Sequence, residues 1–170
     1  MKIHTVILLA LACQLPGSLP AQTPAPSDTL ERSITSDQVM ALVKLTGEQL
    51  AHDSTATIAK INKGEAPFKD AANPTLYVFI YDPDVLMVAH PRADLVGKSV
   101  KGKPDVKGKK FRDEIVERAL KEGTGWVDYL YQKPNESGIH PKTTYFSKVT
   151  GSDGHIYIVC SGKYQDNPTK

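Results

Sequence analysis

The chain has 170 residues, with 21 Lys+Arg against 19 Asp+Glu, two cysteines and 40% hydrophobic residues. That length suits about one domain, and the apolar share with mixed charge excludes a disordered or fibrous chain. Two cysteines cannot build a disulfide scaffold or an all-thiolate zinc site, and a formal charge of +2 gives no whole-protein attraction to nucleic acid.

Residues 1–21 read as a secretory signal peptide. Lys2 precedes the apolar run Val6 to Leu11, and Pro16, Gly17 and Pro20 then break any continuing helix. The run is shorter than the roughly 18 residues that a spanning helix needs. Cleavage after Ala21 leaves Cys160 as the sole mature cysteine, so no internal disulfide is expected. Processing before Cys13 is the alternative: Leu11-Ala12-Cys13 fits the end of a lipobox, although Ala10 stands where a Leu is usual. Either route predicts a periplasmic or secreted protein. Residues 22–34 hold prolines and small polar groups and read as a flexible leader.

A long helix is expected next. Thr35 and Gln38 are spaced as a capping box, and Asp37 suits the positive end of the helix dipole. Val39, Leu42, Val43, Leu50, Ile58 and Ile61 keep one apolar face up to Gly64, which is placed as terminator. A single rod of about 40 Å would result. Something must lie along so long a rod, and it leaves open a homodimer through that helix.

Beyond Asn73-Pro74 the character changes, and eleven of the twelve aromatic residues lie between Tyr77 and Tyr164. Leu76 to Asp82 alternates, with Tyr77, Phe79 and Tyr81 on one face and Leu76, Val78 and Ile80 on the other. Asp82-Pro83-Asp84 reads as a turn and Val85 to Ala89 as the second strand of a hairpin. Lys98 to Lys110 is a Lys- and Gly-rich loop. Phe111, Ile115, Ala119 and Leu120 mark a short helix ended by Gly123. Trp126 to Tyr131, Thr143 to Val149 and His155 to Ser161 are three further strands, the last two joined by the tight turn Gly151-Ser152-Asp153-Gly154. The order predicts an α+β fold, a long N-terminal helix packed on an antiparallel sheet of about five strands, with one domain at 35–165 and a tail at 166–170.

No nucleophile elbow, zinc-protease, P-loop or dinucleotide motif occurs, and no enzyme or cofactor is expected. Asp82 and Asp84 are separated by a proline and read as a turn before they read as metal ligands. Cys160, in an apolar strand, reads as a small buried hydrophobe. The run Lys98, Lys101, Lys103, Lys107, Lys109 and Lys110 admits a polyanion-binding surface, but no aromatic residue interleaves the lysines, and a solvated loop accounts for them.

A second set of polar groups gathers at strand ends. His90 closes the second strand, Tyr129 and Tyr131 share a face of the third, Lys142 opens the fourth with Tyr145 three residues on, and Tyr77 lies on the aromatic face of the first. Aromatic walls around one cation, one imidazole and several phenols would suit a small carboxylate. The same pattern is equally compatible with tyrosines that pack a sheet face, their hydroxyls reaching solvent.

Read in order, Tyr77-Val78-Phe79-Ile80-Tyr81-Asp82, Met87-Val88-Ala89-His90-Pro91, Leu95-Val96-Gly97-Lys98, Gly123-Thr124-Gly125-Trp126-Val127-Asp128-Tyr129, Pro141-Lys142-Thr143-Thr144-Tyr145 and Ser161-Gly162-Lys163-Tyr164 resemble the single Cache domain, across about residues 36–164. The resemblance implies an extracytoplasmic, PAS-like sensor whose curved sheet holds small organic acids or amino-acid-like metabolites. It implies that His90, Lys142 and Tyr145 match the family's HP and K-x-x-Y elements, and that Tyr77, Tyr129 and Tyr131 line the pocket. It further implies a membrane receptor or kinase as partner; no nucleic acid is expected, on the charge balance alone. Tyr131, His155 and Tyr157 stand near places where the family often has tryptophan, which bears on ligand identity.

Overall fold

The computed structural model describes residues 33–134 and 136–165, so the expected signal peptide, both cleavage sites and most of the leader and tail lie outside the described residues. Helix α1, Ser36–His52, opens with the expected capping box: Thr35 Oγ1 accepts from the Gln38 amide at 3.2 Å, and Gln38 Oε1 accepts from the Thr35 amide at 2.9 Å. Val39, Leu42, Val43 and Leu50 form its buried face.

The single rod expected over this region is in fact two helices. Asp53 takes an extended conformation (φ −153°, ψ 95°), ends α1 and caps α2, Ser54–Lys63, with its carboxylate accepting from the Ala56 amide at 2.9 Å. An uninterrupted helix would pair the Ser54 amide with the Leu50 carbonyl. Ser152, in the turn between the last two strands, takes both: its hydroxyl accepts from the Ser54 amide and its own amide donates to the Leu50 carbonyl, each at 2.9 Å. The break therefore comes from a distant loop docking into the helix ladder. Gly151 permits the approach, because a Cβ there would stand 2.3 Å from Ser54 Oγ and 2.6 Å from the Tyr157 ring. Helix α2 ends, as expected, at Gly64 with φ 66°.

The strands are β1, Val78–Tyr81; β2, Met87–Ala89; β3, Thr124–Gln132; β4, Ile139–Thr150; and β5, Ile156–Tyr164. They form one five-stranded antiparallel sheet in the order β2-β1-β5-β4-β3. The first two strands are shorter than the alternation suggested, and the last three are longer. Between β1 and β2, Asp82 turns the chain by accepting from the Asp84 and Leu86 amides at 2.9 and 2.8 Å. Helix α3, Phe111–Glu122, follows the lysine loop and stops at Gly123, φ 86°.

The sheet is a middle layer. On one face, α1 and α2 pack with Leu76, Val78, Ile80, Val159 and Tyr157. On the other, α3 packs with Tyr77, Phe79, Tyr81, Val127, Phe146 and Cys160. The two-face alternation read in residues 76–81 is thus an alternation between two cores. Cys160 is fully buried, as a small hydrophobe should be. The lysine loop is tied down: Asp105 accepts from the Lys107, Lys109 and Leu130 amides, and Asp113 from the Gly102 amide. Lys109 Nζ donates to the Asp128 carbonyl and pairs with Glu114. No described helix is long and apolar enough to cross a membrane.

Asp53→Ala removes the α2 cap and is expected to lower unfolding free energy by about 1 kcal/mol in urea titration. A gain in stability would instead mean that the helix closes over the break and that Ser152 does not impose it.

Candidate functional site

The β3–β4–β5 register builds the site. Lys142 stands opposite Tyr129 on β3 and Tyr164 on β5. Alternation sends Lys142, Thr144 and Phe146 toward the α3 face, and Gly162 beneath them gives the lysine stem its room. A Cβ on Gly162 would lie 3.0 Å from Lys142 Cε and 2.5 Å from both Thr144 Oγ1 and the Thr143 carbonyl.

Lys142 is 1% exposed. Its Nζ donates to the Tyr77 hydroxyl at 3.0 Å and sits 4.5 Å from the Tyr77 ring centre, 4.9 Å from Tyr164, 5.6 Å from Phe79 and 5.7 Å from Tyr131. Ring faces of this kind attract a cation without neutralising it. Among the described residues no carboxylate lies within 4.0 Å of the ammonium. Burial pulls its pKa from 10.5 down to about 8, against upward pulls from Tyr131 and Cys160, so the amine keeps its charge at neutral pH. Burial likewise pushes the Tyr77 phenol up to about 12.

His90 follows β2 and is held twice. Its amide donates to Asn62 Oδ1 on α2 at 2.9 Å, and its Nδ1 accepts from the Arg92 amide at 2.8 Å. An Nδ1 that accepts from an amide leaves the proton on Nε2. Burial first, then the Lys142 and Arg92 charges, lowers the imidazole pKa to about 3, so His90 is a neutral Nε2–H donor.

Of the sequence-derived candidates, Tyr77, His90, Tyr129, Tyr131 and Lys142 converge on one small chamber, together with Phe79, Tyr81, Met87 and Phe111. Tyr129 is its floor: the ring stacks on Phe111 at 3.7 Å and the hydroxyl shares a hydrogen bond with Thr144 at 2.8 Å. Tyr145 does not join them. Three residues from Lys142 on a strand, it points to the opposite face, where it packs on Trp126 at 5.1 Å and borders α1. The K-x-x-Y spacing therefore separates its two members across the sheet.

The chamber is nearly filled by its own walls, with about 10 Å³ free, room for at most one water. Tyr77, His90 and Tyr131 also wall an adjoining outer recess of about 350 Å³, where Arg92, Lys69 and Lys133 join them. Sequence reading missed four contributors. Phe79 and Tyr164 complete the ring around Lys142; alternation already places Phe79 on the Tyr77 face, but only the strand register brings both rings beside the ammonium. Lys69 and Arg92 border the recess, and Arg92 sits directly after His90-Pro91. No group of three or more metal-ligating side chains gathers among the described residues.

A family model for the Cache domain (dCache_2) matches residues 53–168. The structure is similar to one described as the periplasmic sensor domain of a chemotaxis protein, with 26% identity, TM-score 0.58, and 75% of this chain and 88% of that chain covered. Another similar structure comes from work on carboxylic acid recognition by a Cache chemosensory domain, with 23% identity, TM-score 0.61, and coverage of 77% and 93%. A third is a methyl-accepting chemotaxis protein from Vibrio parahaemolyticus, with 16% identity, TM-score 0.60, and coverage of 76% and 88%. No curated protein matches the chain.

Lys142→Met removes a buried charge while keeping the stem volume, and is expected to stabilise the fold by about 3 kcal/mol at pH 7. The sign follows from the depressed pKa: below about 8 the folded protein carries the full penalty, and the penalty fades as pH rises from 8 towards 10.5, the value of the exposed amine. Denaturation of both proteins between pH 6 and 10 should show the gap narrowing. A gap that is constant with pH would contradict a charged, buried Lys142.

Proposed function

The chain belongs to the Cache domain family, and from that premise we propose that it is an exported sensor module that binds a small carboxylate-bearing metabolite through Lys142. The observation that carries this reading is the uncompensated ammonium. A buried lysine without a carboxylate lowers stability, and an anionic ligand supplies the missing charge in a medium where the pair interacts far more strongly than in water. His90 Nε2–H adds a neutral donor, and the tyrosine rings exclude competing water. The comparison structures, a periplasmic sensor domain and a carboxylic-acid-recognising Cache domain among them, support the same class of ligand and a location outside the cytoplasm.

Entry is through the outer recess. With about 10 Å³ free around Lys142, even a two-carbon acid reaches the ammonium only if Tyr77 or Tyr131 swings aside. Tyr77 leads into β1, and its backbone carbonyl accepts from Ser161 Oγ on β5 at 2.9 Å. Displacing that ring therefore acts on the centre of the sheet, which is how occupancy would reach a membrane receptor or kinase.

Acetate, propionate, lactate and pyruvate, titrated at pH 7, are expected to raise the melting temperature, and Lys142→Met should abolish the response while leaving a folded protein. Affinity should fall by up to about tenfold per pH unit above pH 8, as the amine loses its proton. An undiminished response in Lys142→Met would refute the anchor.

A further inference from the structure

The surface formed by the loop from Lys98 to Lys110 has no part in the ligand site, and its charge lacks local compensation. Residues 98–113 carry six lysines and one arginine against two aspartates. Both aspartates are turned onto backbone amides: Asp105 accepts from Lys107, Lys109 and Leu130, and Asp113 accepts from Gly102 at 2.9 Å. Of the cations only Lys109 has a carboxylate partner among the described residues, Glu114 at 3.1 Å. Lys101, Lys103, Lys107 and Lys110 are exposed and have no carboxylate within 4.0 Å among the described residues.

An apolar groove lies within this basic surface. Pro104, Val106, Leu130, Tyr131 and Ile139 line about 310 Å³ between the loop and the β3–β4 end of the sheet, with Arg112 in the wall. Val106 is 68% exposed and Ile139 46%, more than any other large hydrophobic residue among those described. The turn that carries Val106 is closely bonded. The Asp105 amide donates to the Lys109 carbonyl at 2.9 Å, the Gly108 amide donates to the Asp105 carbonyl at 3.0 Å, and the Asp105 carboxylate holds three further amides. Apolar residues scattered singly over a surface are ordinary, whereas two in one groove, rimmed by unneutralised cations, mark a contact surface.

We infer that this surface docks an acidic segment of a partner protein, with a large apolar side chain in the groove between Val106 and Ile139 and carboxylates against the flanking lysines. Recognition is by side chains, because the outer edge of β3 is already occupied. The Trp126 carbonyl accepts from Arg118 and the Asp128 carbonyl from Lys109 Nζ, each at 2.7 Å, and the Leu130 amide donates to Asp105 at 3.0 Å. A second copy placed by two-fold symmetry would set one lysine-rich surface on another. A bilayer supplies negative charge but no side chain to fill a concave groove. Phe111 and Tyr131 wall both the groove and the inner chamber, so the docked segment would lie against rings of the ligand site.

Fluorescence anisotropy of the purified chain tests this with a labelled peptide, Asp-Glu-Asp-Leu-Phe-Glu-Asp, and its analogue carrying Ser-Ser in place of Leu-Phe. The first is expected to bind at least about tenfold more tightly than the second at one pH and ionic strength. Val106→Ser combined with Ile139→Ser should remove that preference, and Lys103→Glu combined with Lys107→Glu should weaken the first peptide by about tenfold. The milder single changes Val106→Ser and Lys107→Gln, at exposed positions where the fold is not at stake, should each act in the same direction by about threefold. Equal affinity for the two peptides, binding of neither, or a preference that survives the loss of Val106 and Ile139 overturns the inference. So does binding to phosphatidylglycerol vesicles or heparin that displaces the peptide and persists in the Val106→Ser, Ile139→Ser protein, which would make the lysines a general polyanion surface. The organic-acid response is read separately and stands or falls on Lys142 alone.

Discussion

A primary ammonium held out of water with phenols, and with no carboxylate beside it among the described residues, is the constraint around which this site is arranged. Lys142 keeps its charge at neutral pH only against a desolvation penalty, partly offset by the Tyr77 hydroxyl and the surrounding ring faces. Gly162 has to lack a side chain so that the lysine stem can lie over β5. His90 has to stay neutral, since a second cation beside the first would be repelled, and the Arg92 amide fixes which nitrogen keeps the proton.

The sheet makes that arrangement rigid. Lying between two helical layers, it is apolar on both faces at β1, and the polar cluster occupies one end of the α3-side core. A charge fixed in such a packed setting is pre-organised, so under the proposed function the ordering that would offset anion binding is mainly that of the Tyr77 or Tyr131 ring. Tyr77, His90 and Tyr131 form the partition between a filled chamber and an open recess. Under the proposed function occupancy would couple to shape through that partition, because the inner chamber has no room for a ligand unless a ring moves.

Local signals accounted for much of the chain. The Thr35–Gln38 capping box, the turn at Asp82, the stop at Gly123 and the hairpin at 151–154 rest on short-range hydrogen bonding and backbone freedom, which are written into neighbouring residues. The α1–α2 break was not visible, because the group that interrupts the ladder, Ser152, is about a hundred residues away from Ser54. Tyr145 went astray for a different reason: a spacing of three places two residues together on a helix and on opposite faces of a strand.

By itself, the sequence determined the element types, the two-faced pattern of β1, the absence of a familiar catalytic motif and the residues from which a carboxylate site could be built. Periodicity and turn chemistry act over a few residues, so a linear reading reaches them. Only the tertiary structure decided which of those residues meet. Strand order and register, set by the packing of both sheet faces at once, brought Tyr164, Phe79 and Tyr77 around Lys142, turned Tyr145 away, and placed Lys69 and Arg92 at the mouth. Such choices depend on contacts between segments far apart in the chain, and no local preference encodes them.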